Sequence, residues 1–168
     1  MGNGKIAKLL NVAHEAKLDG LDFLARFSYA TLVHEYNGIG PEWAGDKIRD
    51  WSTARFFIFE PAALIHDLRN YESDGSEDGF IFANREFLDN CLKLANHAYP
   101  WYSWRRYRAR AVAFALYEFV QGAGGWIAWQ QCADKSLSRH GLRPANTATS
   151  AAKIPKETYA TGTAGSNH

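Results

Sequence analysis

Apolar residues that recur at three- and four-residue steps constrain the fold of this 168-residue chain more than any other feature. Between Lys5 and about Val33 the repeat runs over two stretches, with a break near Gly20. Such spacing places the apolar side chains on one face, so it predicts one or two amphipathic helices that serve as scaffold. The apolar positions are Ile6, Leu9, Leu10, Ala13, Leu21, Leu24, Phe27 and Ala30.

Two further helices are expected in the middle of the chain. Residues 36–60 interrupt the pattern, because the glycine- and proline-containing run YNGIGPEWAGDK is typical of a loop. Pro61 suits the first turn of a helix, which we extend to Tyr71. After a polar stretch, ESDGSEDG, a second helix is predicted from about Phe80 to Asn96. Its apolar stripe consists of Phe80, Ala83, Phe87, Cys91 and Leu94.

A third helix, from Trp101 to about Val120, is aromatic and basic at its start and is ended or kinked by the GAGG run at 122–125. We expect its aromatic rings to pack inward and its arginines to form a solvated or subunit-facing surface. A lipid-contacting patch and a strip on which nucleic-acid bases stack are the alternatives. Protein interfaces also select Trp, Tyr and Arg. The candidate interface residues are Trp101, Trp104, Arg105, Arg106, Tyr107 and Arg108.

The charge of the chain is balanced overall but uneven along its length. Nineteen basic residues against 18 acidic ones exclude a whole-chain attraction to nucleic acid or anionic membrane. Residues 135–168 carry five Lys or Arg against Glu157 alone, and their Ala/Thr/Ser/Gly-rich composition cannot form a core. We therefore predict N-terminal helices over 1–35, a helical core over 36–134 and an extended basic tail held by a partner. The three parts make one folded domain.

Cysteine content and hydropathy limit the setting of the protein. A chain that is 46% hydrophobic can bury a core without disulfides, and Cys91 and Cys132 have neither a disulfide framework nor metal-ligand spacing. A reducing compartment is expected. The N-terminus has no apolar run long enough for a signal peptide, and no window approaches 18 apolar residues. We therefore expect neither classical secretion nor a transmembrane segment.

A glycine-rich turn and a His-Asp dipeptide supply the candidate chemistry. The side chains of adjacent helical residues point about 100° apart, so His66 and Asp67 would contact different groups. Calcium prefers oxygen ligands, and Asp67 with the turn at Asn37, Gly38 and Gly40 is a candidate calcium cage. His66 would then take a proton from a water that attacks an ester carbonyl. An ordinary helix-surface pair is the simpler interpretation of the dipeptide.

These parts occur in an order that resembles the phospholipase A2 superfamily, and most closely its viral branch of parvovirus capsid domains and tailed-phage proteins. The matching text is YNGIGP, FEPAALIHDLRNY, ESDGSEDG and FANREFLDN, and the run WRRYRARAVAFALYEFVQGAGGWIAW is similar to a later helix of the phage proteins. The resemblance covers about residues 36–130. It implies a mainly α fold with a core of antiparallel helices, a calcium-type loop and a His-acid pair that hydrolyses phospholipid.

Three positions depart from the pattern of this family. Asn84 stands where the family has the Asp that orients its histidine, and Asp89, about 140° further round the helix, is a poor substitute. Asn70 stands where a Tyr belongs, although Tyr71 is next to it. Ile39 and Ala63 replace a cysteine pair of many phage relatives, which agrees with a reduced setting.

Three classes of function remain. The first is a phage phospholipase A2-like protein with a degraded His-acid pair, which acts as a virion or assembly component and binds other virion proteins through the tail and the aromatic-basic helix. The second is an active calcium-dependent phospholipase A2 that cuts the sn-2 ester of membrane phospholipid during virus entry or release. The third is a helical binding module without chemistry. We favour the first, located in the virion or the host cytoplasm, with nucleic acid a weaker candidate partner than protein or phospholipid.

Overall fold

The computed structural model describes residues 3–36 and 56–139, which contain seven α-helices and no strand. The prediction of a mainly α chain is confirmed. Within this part of the chain, no helix is both long and apolar enough to cross a membrane. A short 3₁₀ turn, Phe57–Phe59, precedes the fourth helix. The helices are α1 (Asn3–Glu15), α2 (Leu21–Leu24), α3 (Tyr29–Glu35), α4 (Glu60–Tyr71), α5 (Glu77–Ala98), α6 (Trp104–Gln121) and α7 (Ala123–Arg139).

The predicted break at Gly20 is a tight corner between α1 and α2. Gly20 has a φ of +85°, and a Cβ there would lie 2.9 Å from Cγ2 of Ile65 and 3.0 Å from Oε1 of Glu86. Asn90, which is fully buried, holds the corner from the other side. Its Oδ1 accepts from the backbone N–H of Asp19 at 2.7 Å, and its Nδ2 donates to the Asp19 carbonyl at 3.1 Å. The corner therefore needs both a glycine and a buried amide.

One hydrophobic core lies where α1, α4 and α5 meet. Only residues 72–76 join α4 to α5, so the two packed helices run antiparallel. Each apolar stripe predicted from the sequence contributes buried side chains to this core. Its members include Ile6, Leu9, Ala13, Leu64, Ile65, Leu68, Phe87, Cys91 and Leu94.

An ion pair between Arg69 and Glu86 links α4 to α5. The guanidinium donates from Nε to Oε2 at 2.8 Å and from Nη2 to Oε1 at 2.9 Å. The Glu86 side chain is only 7% exposed, and the centre of the guanidinium lies 3.8 Å from the ring centroid of Phe23 on α2. Because a forked guanidinium matches a carboxylate in one orientation, this pair fixes how α4 sits along α5.

Helix α6 packs against α5 through small residues, and its aromatic rings do not pack inward as we expected. Ala109 and Ala113 are its buried positions. The small seam lets α6 approach α5 closely, and the large rings fall on the opposite side of the helix. The side chains that are exposed include Trp101, Tyr102, Trp104, Tyr107, Phe114 and Phe119.

The GAGG run ends α6, as predicted, and starts α7 at once. A Cβ on Gly125 would overlap the carbonyl of Val120, so only glycine permits this reversal. The sequence predicted that the helical core ends at residue 134 and that an extended tail begins at Lys135. Instead α7 continues to Arg139, whose guanidinium centre lies 3.7 Å from the ring centroid of Tyr71 and which donates to the Tyr71 carbonyl. The rest of the predicted tail, residues 140–168, lies outside the described residues.

Helix α7 is held across the turn between α4 and α5 by polar contacts. Trp129 donates from Nε1 to the Ser76 carbonyl at 3.0 Å, and Gln130 donates from Nε2 to the Gly75 carbonyl at 2.7 Å. The Phe80 ring on α5 packs against the Trp129 ring, with the ring centroids 6.1 Å apart. These contacts place residues 123–139 in the folded domain.

Arg69→Ala should lower the free energy of unfolding by roughly 3–5 kcal/mol, because it leaves the buried Glu86 carboxylate without its partner. Arg26→Ala is the matched control. Arg26 lies 3.7 Å from Glu72 with its side chain 65% exposed, and the loss of such a surface pair costs no more than about 1 kcal/mol. Urea denaturation measures both values. Equal losses in the two variants would contradict the role assigned to the Arg69–Glu86 pair.

Candidate functional site

His66 and Asn84 form the centre of the candidate site. His66 lies on the face of α4 that packs against α5, and its Nε2 is 2.9 Å from Oδ1 of Asn84. The contact expected from the sequence is therefore present. The His66 ring also leans on Phe87, with the ring centroids 4.9 Å apart. A second amide, Nδ2 of Asn70, lies 3.3 Å from His66 Nδ1.

The hydrogen bonds around His66 assign its tautomer. The Asn84 oxygen can only accept, so Nε2 carries the ring proton and donates it. Nδ1 then keeps its lone pair, and it accepts from the Asn70 amide. Asn70 is in reach because residues four apart on a helix are neighbours. Both ring nitrogens of His66 are thus occupied by neutral amides.

Asn84 is buried with one of its polar groups unmatched. The residue is 1% exposed, and its Nδ2 has no hydrogen-bond partner among the described residues. A buried donor without a partner costs about 1–3 kcal/mol. The pocket around residue 84 therefore satisfies the amide oxygen, through His66, but not the amide nitrogen.

Burial lowers the pKa of His66 below its ordinary value of 6.5. The hydrogen bond to Asn84 and the negative charge of Glu86 raise the pKa, but burial outweighs them. The ring is therefore neutral at pH 7, which is the form that can accept a proton.

Asp67 faces a different part of the structure, next to Tyr36 at the end of α3. Burial raises the pKa of Tyr36 strongly, and the negative charges of Glu60 and Asp67 raise it further. Glu60 is itself buried and lies 3.1 Å from Nζ of Lys5. The His66 and Asp67 side chains thus contact different groups, as their adjacent positions on the helix predicted.

The predicted calcium cage is only partly within the described residues. Asp67 lies beside Tyr36, the residue from which the glycine turn continues. Its carboxylate suits the oxygen preference of calcium, and it also has an interaction within the protein. Asn37, Gly38 and Gly40 lie outside the described residues, so their role stays a prediction. Across residues 3–36 and 56–139, no group of three or more His, Cys, Asp or Glu side chains could hold a metal ion.

The structure does not bring Asp89 to His66. Asp89 is exposed on the solvent side of α5, where it lines an open cleft with Phe82 and Arg85. Five helical positions separate it from Asn84, a rotation of about 140°. It therefore cannot replace the missing acid of the His66 pair.

The candidate interface residues are a second, separate group on and just before α6. Trp101, Trp104, Arg105, Tyr107 and Arg108 are exposed, and Arg106 is partly exposed. The contact between Asn70 and His66 is not predicted from the sequence, although the two residues are four positions apart on one helix. The charge of Glu86 near His66 is not predicted either, because it depends on how α4 and α5 pack.

Comparison with protein-family models, with curated protein sequences and with solved structures finds no match to this chain.

Asn84→Asp should raise the pKa of His66, because a carboxylate stabilises the imidazolium more strongly than the present amide does. An NMR titration of the His66 ring should give a midpoint below 6.5 in the wild type and a higher one in the variant. Asn96→Asp, at an exposed position of α5, is the control and should leave the His66 midpoint at its wild-type value. An unchanged midpoint in Asn84→Asp would contradict the assigned hydrogen bond.

The lowered pKa of His66 also determines how the free energy of unfolding changes with pH. The unfolded chain takes up the proton first as the pH falls, so the contribution of His66 to stability is present above about pH 6.5 and is lost below it. We expect the free energy of unfolding to decrease from pH 7 towards pH 5. His66→Gln, compared in the same urea titrations, should decrease less steeply. A wild-type slope no steeper than that of the variant would contradict the lowered pKa.

Proposed function

We propose that this chain is a viral phospholipase A2-like protein whose His-acid pair has lost its acid and which acts as a virion or assembly component. One observation carries the proposal. His66 donates from Nε2 to Asn84 Oδ1 over 2.9 Å, which is the geometry of a histidine held by its orienting partner, but the partner is an amide. The sequence order of the glycine turn, the His-Asp helix and the second helix supports the family assignment.

The amide at residue 84 argues against turnover. A general base that takes a proton from water becomes an imidazolium, and a neighbouring carboxylate stabilises that charge. An amide oxygen holds the ring but carries no compensating charge. In an unrelated His-Asp enzyme the same replacement lowers turnover by about 10⁴-fold.

The position of Asn70 argues in the same direction. An attacking water would have to hydrogen-bond to the Nδ1 lone pair of His66, and Nδ2 of Asn70 lies 3.3 Å from that atom. The water would displace the Asn70 amide or compete with it. His66 therefore lacks an acidic partner at Nε2, and the Asn70 amide occupies Nδ1, the nitrogen to which the attacking water would bind.

Calcium remains part of the proposal as a ligand. Asp67 and the carbonyls of the 37–40 turn would hold it, and a bound calcium would supply a Lewis acid for an ester carbonyl. In a protein without turnover the ion would instead have a structural role.

An active phospholipase A2 is the second candidate, and the tautomer of His66 favours it. Nδ1 carries the lone pair that a general base needs, and the ring is neutral at pH 7. A helical binding module without chemistry is the third. The three candidates differ in the fatty-acid release that they predict for the wild type and for variants at residues 66, 70 and 84.

Fatty-acid release from phospholipid vesicles with calcium present tests the proposal. We expect none from the wild type, a measurable rate from Asn84→Asp, and a further increase in Asn84→Asp combined with Asn70→Ala, because the acid is restored and Nδ1 is cleared. Asn96→Asp is the control, since Asn96 is exposed on the same helix, 12 residues beyond Asn84. It should remain inactive.

The outcomes separate the three candidates. Wild-type release that is lost in His66→Ala would establish the active enzyme and overturn the proposal. No release from any variant, in proteins whose circular dichroism is unchanged, would favour the binding module.

Calcium should raise the melting temperature of the wild type, because a ligand that binds only the folded state stabilises it. Asp67→Asn should abolish most of that rise, and Asp134→Asn, at an exposed position of α7, should keep it. Magnesium serves as the ion control in the same thermal-shift assay. A rise that is equal in both variants would contradict a calcium site at Asp67.

A further inference from the structure

The outer face of α6 carries a stripe of exposed aromatic rings, on the side opposite the residues that pack against α5. The four rings are each between 48% and 64% exposed. At about 100° per residue, their positions fall within roughly 140° of the helix circumference. Exposed apolar surface of this extent marks an interaction site. The rings belong to Trp104, Tyr107, Phe114 and Phe119.

The outer face is small in its middle and large at its ends. Ala111 and Ala115 are exposed in the middle of the stripe. Tyr107 lies about one turn before them and Phe119 about one turn after them. Small side chains let a second helix approach to the short end of the usual separation of about 8–10 Å between packed helix axes. The rings then pack on either side of that close contact, so the shape of the face suits another helix.

One positive and one negative side chain lie towards opposite ends of the same face. Arg108 is exposed and forms no ion pair among the described residues, and its guanidinium centre lies 4.9 Å from the Trp104 ring centroid. Glu118 is also exposed, and it has an interaction within the protein. The two residues are separated by roughly 15 Å along the axis at 1.5 Å per residue, so they do not pair within one helix.

The outer face is self-complementary when two copies of α6 run antiparallel. A two-fold axis at the level of Ala113 places residues that are equally far before and after it opposite each other. Both charges then face an opposite charge, and Arg105, at the edge of the face, lies opposite the uncharged Gln121. Each contact occurs twice, once on either side of the axis. The facing pairs are Arg108 with Glu118, Ala111 with Ala115, and Tyr107 with Phe119.

We propose that this protein forms a two-fold dimer in which the outer face of α6 packs antiparallel on the same face of a second copy. The contact goes beyond the function proposed above, because it needs neither the His66–Asn84 pair nor calcium. A two-fold contact uses the same surface on both copies, so association stops at two chains.

The area of the outer face is close to what a specific dimer needs. An aromatic side chain has roughly 200 Å² of surface, so four half-exposed rings supply about 400 Å² per copy. Two copies therefore bury about 800 Å² of ring surface, to which the central alanines and the charged pairs add. Specific interfaces begin at about 1,000 Å² in total. A dimer of modest affinity, on the order of micromolar, is expected.

A second copy fits this face better than a lipid surface or a nucleic acid does. An anionic membrane or a nucleic-acid strand would attract Arg108 but repel Glu118, whereas a second copy pairs the two. Ala111 and Ala115 would add little to a lipid contact, yet they are the positions that let two helices approach closely. Only a second copy uses the rings, the alanines and both charges.

Sedimentation velocity of the full chain tests the proposal. We expect the wild type to show a monomer–dimer equilibrium without larger species. Arg108→Glu brings two negative charges together at each facing pair, and Glu118→Arg brings two positive charges together. Each single variant should raise the apparent dissociation constant at least tenfold. Lys8→Glu, at an exposed position of α1, is the control and should dimerise like the wild type.

Combining the two substitutions tests the antiparallel register. The double variant, Arg108→Glu with Glu118→Arg, restores opposite charges across the contact and should dimerise like the wild type. An equimolar mixture of the two single variants should also dimerise, because each introduced side chain then faces an opposite charge. In a parallel pair, like charges would face each other in the wild type and in both single variants, so neither substitution would weaken the dimer.

The close approach of the helices is tested at the two central alanines. Ala111→Gln with Ala115→Gln should be monomeric, because longer side chains hold the two helices apart. Both positions are exposed, so the circular dichroism of the domain should not change. Ala128→Gln, at an exposed position of α7, is the matched control and should dimerise like the wild type.

Several results would overturn the proposal. They are a wild type that stays monomeric well above micromolar concentration, single charge variants that associate like the wild type, and a folded double charge variant that stays monomeric. Binding of a monomeric wild type to anionic vesicles, lost in Trp104→Ala with Tyr107→Ala, would assign the face to a membrane instead. Fatty-acid release is a separate measurement, so failure of dimerisation leaves the proposed absence of hydrolysis unaffected.

Discussion

The bidentate ion pair between Arg69 and Glu86 is the constraint on which the rest of the structure depends. It fixes the position of α4 along α5, and the candidate site is built beside it. His66 lies three residues before Arg69, and Asn84 lies two residues before Glu86. A shift of α5 by one residue would move Asn84 by about 1.5 Å along the axis and by 100° around it, and the hydrogen bond to His66 would be lost. The stacking of Arg69 on Phe23 extends the same constraint to α2.

The helical architecture could be predicted because the apolar spacing is a local property of the chain. The break at Gly20, the first turn at Pro61 and the stop at 122–125 carry backbone preferences that do not depend on distant contacts. The side of α6 that would be buried could not be predicted. Its seam consists of Ala109 and Ala113, which carry little hydrophobic signal, while the larger rings dominate the pattern without facing the core.

The His66–Asn84 contact was expected from the order of parts that resembles the phospholipase A2 superfamily, together with the apolar stripes of the two helices. The electrostatics around it were not. Whether the charge of Glu86 or the removal of water determines the protonation of His66 depends on how tightly two helices pack, and here burial has the larger effect. The contact of the Asn70 amide with His66 was equally unpredictable. The spacing of the two residues shows that a contact can form, but not which rotamer makes it. The carbonyls of residues 37–40 lie outside the described residues, so the calcium loop stays a prediction.

On α6, the residues that pack against the domain are different from the residues that face solvent and are available for binding. Ala109 and Ala113, with the partly buried Val112, Leu116 and Val120 beside them, hold the helix to the domain, so the side chains on its outer face contribute little to folding. Substitutions on that face are therefore expected to accumulate at little cost in stability, whereas any larger residue in the seam would push α6 away from α5. Related chains could differ widely in the outward sequence of this helix and still share one fold, with each acquiring its own binding preferences.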